Sequence, residues 1–215
     1  MTLIYLVRHG ETDWNRARRI QGATDIPLND TGREQAATTG RLLARREWDL
    51  VVTSPLSRAR ETAQIIARET GMPEPILLPE IVERQYGEAE GLDYEEIAER
   101  FPDDTVVPGR ESREEVADRV IPAIVQLAEQ NPGAAIIVVS HGGVIRSVLT
   151  SVAPDDPAIT GGRIRNGSVH SLSHTDGTLD LIAFDDPIEL ESLDCATDDL
   201  VDQNAVESRE AASAP

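Results

Sequence analysis

Directly after the apolar run Leu3-Ile4-Tyr5-Leu6-Val7 the chain reads Arg8-His9-Gly10-Glu11-Thr12, setting an arginine and a histidine side by side where a strand gives way to a loop. Ligands of open α/β sheets collect beyond the carboxyl ends of strands, and Gly10 lets a backbone come close to whatever Arg8 and His9 hold. A second point of this kind follows Asp49-Leu50-Val51-Val52-Thr53, where Ser54-Pro55-Leu56-Ser57-Arg58 opens a stretch with helical spacing. A third follows Ala134 to Val139, where Ser140-His141-Gly142-Gly143 does the same. Both later runs are short, continuous and β-branched, the pattern of strands buried on both faces of a parallel sheet. Three strand ends on one sheet edge then gather Arg8, His9, Arg58 and His141. That set suits phosphoryl transfer, which asks for a nucleophile and for positive charge on the equatorial oxygens. Guanidinium forks match phosphate oxygens, and one arginine at about 4 Å from a phosphate charge contributes roughly 4 kcal/mol at an effective dielectric near 20. The same cations disfavour an imidazolium and so keep a nucleophilic histidine neutral.

The motifs around these residues, RHGETDWN at 8–15, QG at 21–22, SPLSRARETA at 54–63, ERQYGEAEG at 83–91 and SHGG at 140–143, resemble those of the histidine phosphatase superfamily in order and spacing. That superfamily includes the cofactor-dependent phosphoglycerate mutases and their phosphatase relatives. The resemblance runs from Leu3 to about Phe184. It implies an α/β fold, a three-layer α/β/α sandwich with a mostly parallel central sheet and an antiparallel edge hairpin. It also implies that His9 becomes transiently phosphorylated, that Arg8, Arg58 and His141 hold the transferred group, and that Glu83 is the general acid. Asn15, Gln21 and Gly22 are expected at the phosphate and substrate entrance, with Arg84, Tyr86 and Gly142 completing the substrate-binding set. Arg84 is read either as a binder of a substrate carboxylate or as a surface charge. The roles of Glu11, Glu88 and Glu90 are not extended to acid catalysis.

Departures from the mutase pattern favour a phosphatase acting on a small-molecule phosphate ester. Where the mutases carry a lysine after this stretch, Tyr94 stands here, and their paired-arginine insertion is replaced by the acidic Phe101-Pro102-Asp103-Asp104. After Asn15 the mutases read serine-glycine-tryptophan, where this chain has Ile20-Gln21-Gly22. Glu83-Arg84-Gln85-Tyr86-Gly87 stays close to the mutase form and keeps that alternative open. A phosphate- or phosphopeptide-binding module without turnover is the alternative of another class, although all five expected catalytic positions are filled.

Every one of the 20 basic residues is arginine. This excludes a Walker-type phosphate-binding lysine and Schiff-base chemistry. No metal site and no cofactor are expected: there is no HExxH or paired-cysteine spacing, and His170 and His174 fall in late strand and turn segments. A single cysteine, Cys195, gives no intramolecular disulfide. The first apolar run is broken at Arg8 and reads as a strand rather than a signal peptide, and no apolar stretch reaches membrane length. A cytoplasmic protein without membrane or nucleic-acid partners is therefore expected, and the net charge of −19 points the same way for nucleic acid. Oligomeric state has no readable signal.

One histidine phosphatase domain is expected over residues 1–184. Residues 185–215 hold ten of the acids against one arginine and read as an acidic, mobile tail. Arg16, Arg18 and Arg19 form a basic cluster near the expected entrance, there either to steer anions or to pair with surface acids. Thr31 with Glu34 and Ser112 with Glu115 have capping-box spacing and start helices that run to about Arg46 and Gln130. Asp93 to Arg100 reads as a shorter helix, and strands at about Ser168–Ser173 and Thr178–Ala183 form a hairpin around Thr175-Asp176-Gly177. The stretch from about Ile81 to Arg113 is expected to cover the pocket.

Overall fold

The computed structural model describes residues 1–102, 105–186 and 188. Strands β1 (Thr2–Arg8), β2 (Leu50–Thr53), β3 (Ile76–Leu77), β4 (Ala135–Ser140), β5 (Val169–Thr175) and β6 (Thr178–Ala183) form one sheet in the order β3-β2-β4-β1-β5-β6. The first four neighbours pair in parallel, whereas β5 runs antiparallel to β1 and β6 antiparallel to β5. The helices are α1 (Asp13–Arg16), α2 (Asp30–Leu43), α3 (Ser57–Thr70), α4 (Tyr94–Arg100), α5 (Arg113–Gln130), α6 (Gly142–Val152) and α7 (Pro157–Gly161). This is the expected three-layer α/β/α sandwich.

The uninterrupted apolar runs follow from burial on both faces, with alternate side chains pointing opposite ways. Ile4, Leu6, Ile136 and Val138 pack with Val116, Val120 and Ile124 of α5 and Val148 and Leu149 of α6. Their neighbours Tyr5, Val7, Ile137 and Val139 pack on the other face with Leu43 of α2 and Ala59, Ala63 and Ile66 of α3. At roughly 1.5–3 kcal/mol for each large aliphatic side chain buried, these two layers fix the sheet.

Register does the positioning. Arg8 lies beside Ser140, and Thr53 lies beside Val139. One further step along each strand brings Ser54, His9 and His141 out together at the carboxyl edge of the sheet.

Ser112 caps α5 in a full capping box, and Asp93 does the same for α4. The start of α2 differs from expectation: Asn29, not Thr31, accepts from Gly32 N at 2.8 Å, so the helix begins at Asp30 and ends at Leu43. An Asn at the cap satisfies the same amide and leaves Thr31 in the first turn. The hairpin turns through Asp176 and Gly177, both at positive φ, as a tight right-twisted hairpin requires. Past Phe184, Asp186 N donates to Val169 O, and Ile188 is buried against the layer that holds Tyr5 and Val7. The remainder of the expected acidic tail, with Cys195, lies outside the described residues. No helix among the described residues is long and apolar enough to cross a membrane.

Candidate active site

His9 leaves β1 with its backbone amide bound to Ser140 O and its carbonyl bound to Asn166 Nδ2 at 2.9 Å. Its ring Nδ1 lies 2.7 Å from Gly10 O. A carbonyl only accepts, so Nδ1 carries the hydrogen and Nε2 the lone pair. The loop is held down by two glycines in backbone contact: a Cβ on Gly10 would fall 2.2 Å from Gly32 O, and one on Gly32 would fall 2.1 Å from Glu11 O. Any side chain at either position would push the His9 loop off α2.

The His141 ring, at the N-cap of α6, stands 5.2 Å from the His9 ring at an interplanar angle of 60°. Arg8 reaches the same edge: a Cβ on Gly142 would sit 3.3 Å from Arg8 Nε, so the guanidinium lies close against the start of α6. Arg58, in the first turn of α3, is fully buried. Its Nη2 donates to Gly22 O at 2.7 Å and its Nη1 to Thr24 O at 2.9 Å. Its Nε has no hydrogen-bond partner among the described residues, and neither has Nδ1 of the buried His141. Buried polar atoms need partners, and at this edge a bound anion can supply them.

Burial and the nearby charges act on these groups together. His9 is held well below the ordinary histidine value, first by burial and then by Arg58 and Arg8. His141 is lowered in the same way, by burial, Arg58, His9 and Arg8. Burial also lowers Arg58, against the pull of Glu83 and Asp25. Glu83 itself is buried, its carboxyl oxygens accepting from Arg84 N at 2.8 Å, Val144 N at 3.2 Å and Gly143 N at 3.3 Å. The amides of Gly143 and Val144 belong to the first turn of α6 and fix an acid beside His141.

The remaining expected residues divide. Asn15 and Gln21 are tied into the loop by Thr12, whose Oγ1 lies 3.1 Å from Asn15 Oδ1 and 2.9 Å from Gln21 Oε1. Gly22 supports the site through its carbonyl on Arg58; its φ is +54° and a Cβ would meet Glu90 Oε1 at 2.0 Å. Tyr86 is buried, with the Arg84 guanidinium 5.2 Å and that of Arg110 5.8 Å from its ring centre. Arg84 is no surface charge: it is 3 % exposed and donates through Nε to Glu111 O at 2.6 Å. In the basic cluster, Arg16 pairs with Asp13 at 2.7 Å and Arg19 with Glu96 at 3.0 Å, the surface-acid alternative. Ile20, Tyr86, Ala89, Ile97 and Val107 form a small core that joins the 81–113 stretch to the loop after α1. Glu90 ties that stretch down by accepting from Ala23 N, Thr24 N and Tyr86 N. Sequence reasoning missed Asn166, Thr12 and Ser54, whose contacts here cross between distant segments or lie in loops without periodicity.

His170, away from this edge, is also buried and neutral, accepting from Asp185 N at 3.0 Å through Nδ1, and its value falls to about 3, chiefly through burial. With His9, His141 and His170 all lowered in the folded state, the unfolded chain takes up protons first as pH falls below about 6.5. Their contribution is fully present above that value and is lost on acidification, by about 1.4 kcal/mol per histidine per pH unit, or about 4 kcal/mol at pH 5.5. Urea midpoints at pH 7.5 and 5.5 are expected to differ accordingly, and His170→Asn to remove about a third of the difference. Equal midpoints would contradict the burial of neutral rings.

The sequence model of the histidine phosphatase superfamily, branch 1, matches residues 4–187. The chain belongs to this superfamily and is an enzyme of the histidine phosphatase kind. It is 40 % identical over 172 residues to an uncharacterized phosphatase, PhoE, of Bacillus subtilis (strain 168), covering 80 % of this chain and 88 % of that one. It is 36 % identical over 205 residues to a metal-independent phosphoserine phosphatase of Arabidopsis thaliana, with 90 % and 85 % covered. Proteins named as mutases match as well, among them the 2,3-bisphosphoglycerate-dependent phosphoglycerate mutase of Cytophaga hutchinsonii, at 32 % over 174 residues, with 74 % and 82 % covered. Among solved structures, a mycobacterial glucosyl-3-phosphoglycerate phosphatase in complex with VO3 superposes with a TM-score of 0.76 at 29 % identity, covering 85 % of this chain and 98 % of that one.

Proposed function

We propose that the protein is a metal-independent phosphomonoesterase that works through a phosphohistidine on a small phosphorylated metabolite. The observation that carries this reading is the pair of buried nitrogens, Arg58 Nε and His141 Nδ1, without partners among the described residues, at the edge where His9 is held neutral. A phosphoryl group supplies the acceptor that the Arg58 N–H needs and a partner for the His141 ring, and Arg8 adds a second guanidinium. His9 Nε2 attacks phosphorus as the ester P–O bond breaks, and Glu83 gives its proton to the departing oxygen. Water then attacks the phosphohistidine, Glu83 takes a proton from it, and inorganic phosphate leaves with His9 restored. The relatives named as phosphatases support water as the acceptor, as do Tyr94 at the position of a mutase lysine and the acidic Phe101-Pro102-Asp103-Asp104 in place of the mutases' paired-arginine insertion.

Among the described residues no group of three or more His, Cys, Asp or Glu side chains is arranged to hold a metal ion. Turnover of para-nitrophenyl phosphate is expected without added metal and in the presence of a chelator, and inhibition by the chelator would refute metal independence. Arg58→Ala is expected to lower kcat/KM about 10²-fold. Arg58→Lys should restore little, because a lysine supplies charge without the fork that Gly22 and Thr24 orient. A fall of less than about threefold in Arg58→Ala would remove Arg58 from the phosphoryl site. The mutase reading rests on Glu83–Gly87 and on relatives of that name. It is decided by following phosphate release and 3-to-2 phosphoglycerate interconversion in parallel across a panel of metabolite phosphates.

A further inference from the structure

We infer that Ser54 is a positioning residue of this pocket: its hydroxyl donates to Nε2 of His141, so that Nδ1 carries the ring hydrogen and offers it to a phosphoryl oxygen. The inference rests on the reading of the site as a phosphoryl pocket and adds to it the atom that sets the second histidine. Ser54 is the first residue beyond β2, fully buried, with its amide on Val139 O. Its Oγ lies 2.7 Å from His141 Nε2.

Three facts orient that contact. Leu56 N donates to Ser54 Oγ at 3.4 Å, which takes one of the two lone pairs of the hydroxyl, while its hydrogen stays free to turn to the ring. His141 is neutral in this environment and so has a single ring hydrogen to place. On the other side of the ring, Nδ1 is buried without a partner among the described residues. A phosphoryl oxygen can only accept, so a bare Nδ1 would set lone pair against lone pair. With the serine hydroxyl donating to Nε2, the hydrogen is on the side that needs it. The two active-site rings are thus fixed in the same tautomer for opposite purposes. Gly10 O draws the hydrogen of His9 to Nδ1 so that Nε2 offers a lone pair, while Ser54 holds Nε2 of His141 so that Nδ1 offers a hydrogen.

The test uses the full chain labelled with ¹⁵N-histidine, with two-bond ¹H–¹⁵N correlations assigning the tautomers and orthovanadate as the probe of the pocket. In the wild-type protein His141 is expected as the Nδ1–H form, and finding it as Nε2–H would overturn the inference without requiring any variant. In Ser54→Ala the Nδ1–H preference of His141 should be lost while the pattern of His9 stays, and vanadate should bind about tenfold more weakly. Ser54→Thr, which keeps the hydroxyl, should recover both. A Ser54→Ala protein with unchanged tautomer and vanadate affinity would refute the positioning role. A wild-type protein with the expected tautomer but no affinity for vanadate would instead take down the phosphoryl reading of the site, and this inference with it.

Discussion

His9→Ala is expected to lower kcat by at least about 10⁴-fold while leaving the fold and the affinity for inorganic phosphate or vanadate largely intact. The asymmetry follows from the division of labour at the sheet edge. Binding comes from Arg8, Arg58 and His141, none of which depends on the His9 ring for its position: Arg58 is gripped by Gly22 O and Thr24 O, and His141 by Ser54. Chemistry comes from Nε2 of His9, whose lone pair exists because Gly10 O holds the hydrogen on Nδ1. The backbone bonds that seat the His9 loop, His9 N on Ser140 O and Asn166 Nδ2 on His9 O, do not involve the ring, so the variant should keep the fold. Kinetics with para-nitrophenyl phosphate, paired with vanadate titration, separate the two effects. Retention of turnover within about tenfold of wild type would remove His9 from the nucleophile's role.

The second large effect is expected at Glu83 and depends on the leaving group. An alkyl phosphate expels a strongly basic oxygen and needs its proton early, so Glu83→Gln should reduce kcat/KM on such a substrate by about 10²–10⁴-fold. A para-nitrophenolate departs without help, so the same variant should lose no more than about tenfold on para-nitrophenyl phosphate. Glutamine is close in shape to the native side chain, and its carbonyl oxygen can still accept from Arg84 N, Gly143 N or Val144 N. An equal loss on both substrates would mean that Glu83 shapes the pocket rather than donating a proton. The neutral state of His9 well below pH 6.5 further implies that the acid limb of kcat/KM is not set by the ordinary histidine value.

The elements that carry the site were legible because their signals are local. The runs 3–7 and 134–139 are apolar at every step, which two-faced burial explains, and they became β1 and β4, side by side. Ser112 with Glu115 announced α5 through its capping-box spacing, and the stretch from Asp93 to Arg100 became α4, which the structure closes with a reciprocal cap of its own. At α2 two adjacent spacings competed, and Asn29 won because its side chain reaches Gly32 N. Glu83 was readable only through the motif around it, being one of 39 acids. Arg84 looked like a choice between surface and ligand until the fold buried it against Tyr86 and Glu111. Ser54 and Asn166 were invisible for a different reason. The first meets His141 across 87 positions of chain and the second meets His9 across 157, so nothing in the local sequence ties either to its partner.

The central claim is that the phosphoryl group passes through His9, and the most direct measurement is to catch it there. The protein is mixed with para-nitrophenyl phosphate, quenched in alkali during turnover so that an acid-labile phosphoramidate survives, digested, and read by peptide mass spectrometry. The account predicts one added phosphoryl group on the peptide containing His9, absent from the His9→Ala protein and slower to disappear in Glu83→Gln. A turning-over enzyme whose His9 peptide stays unmodified, or whose phosphoryl group is found on another residue, would contradict it.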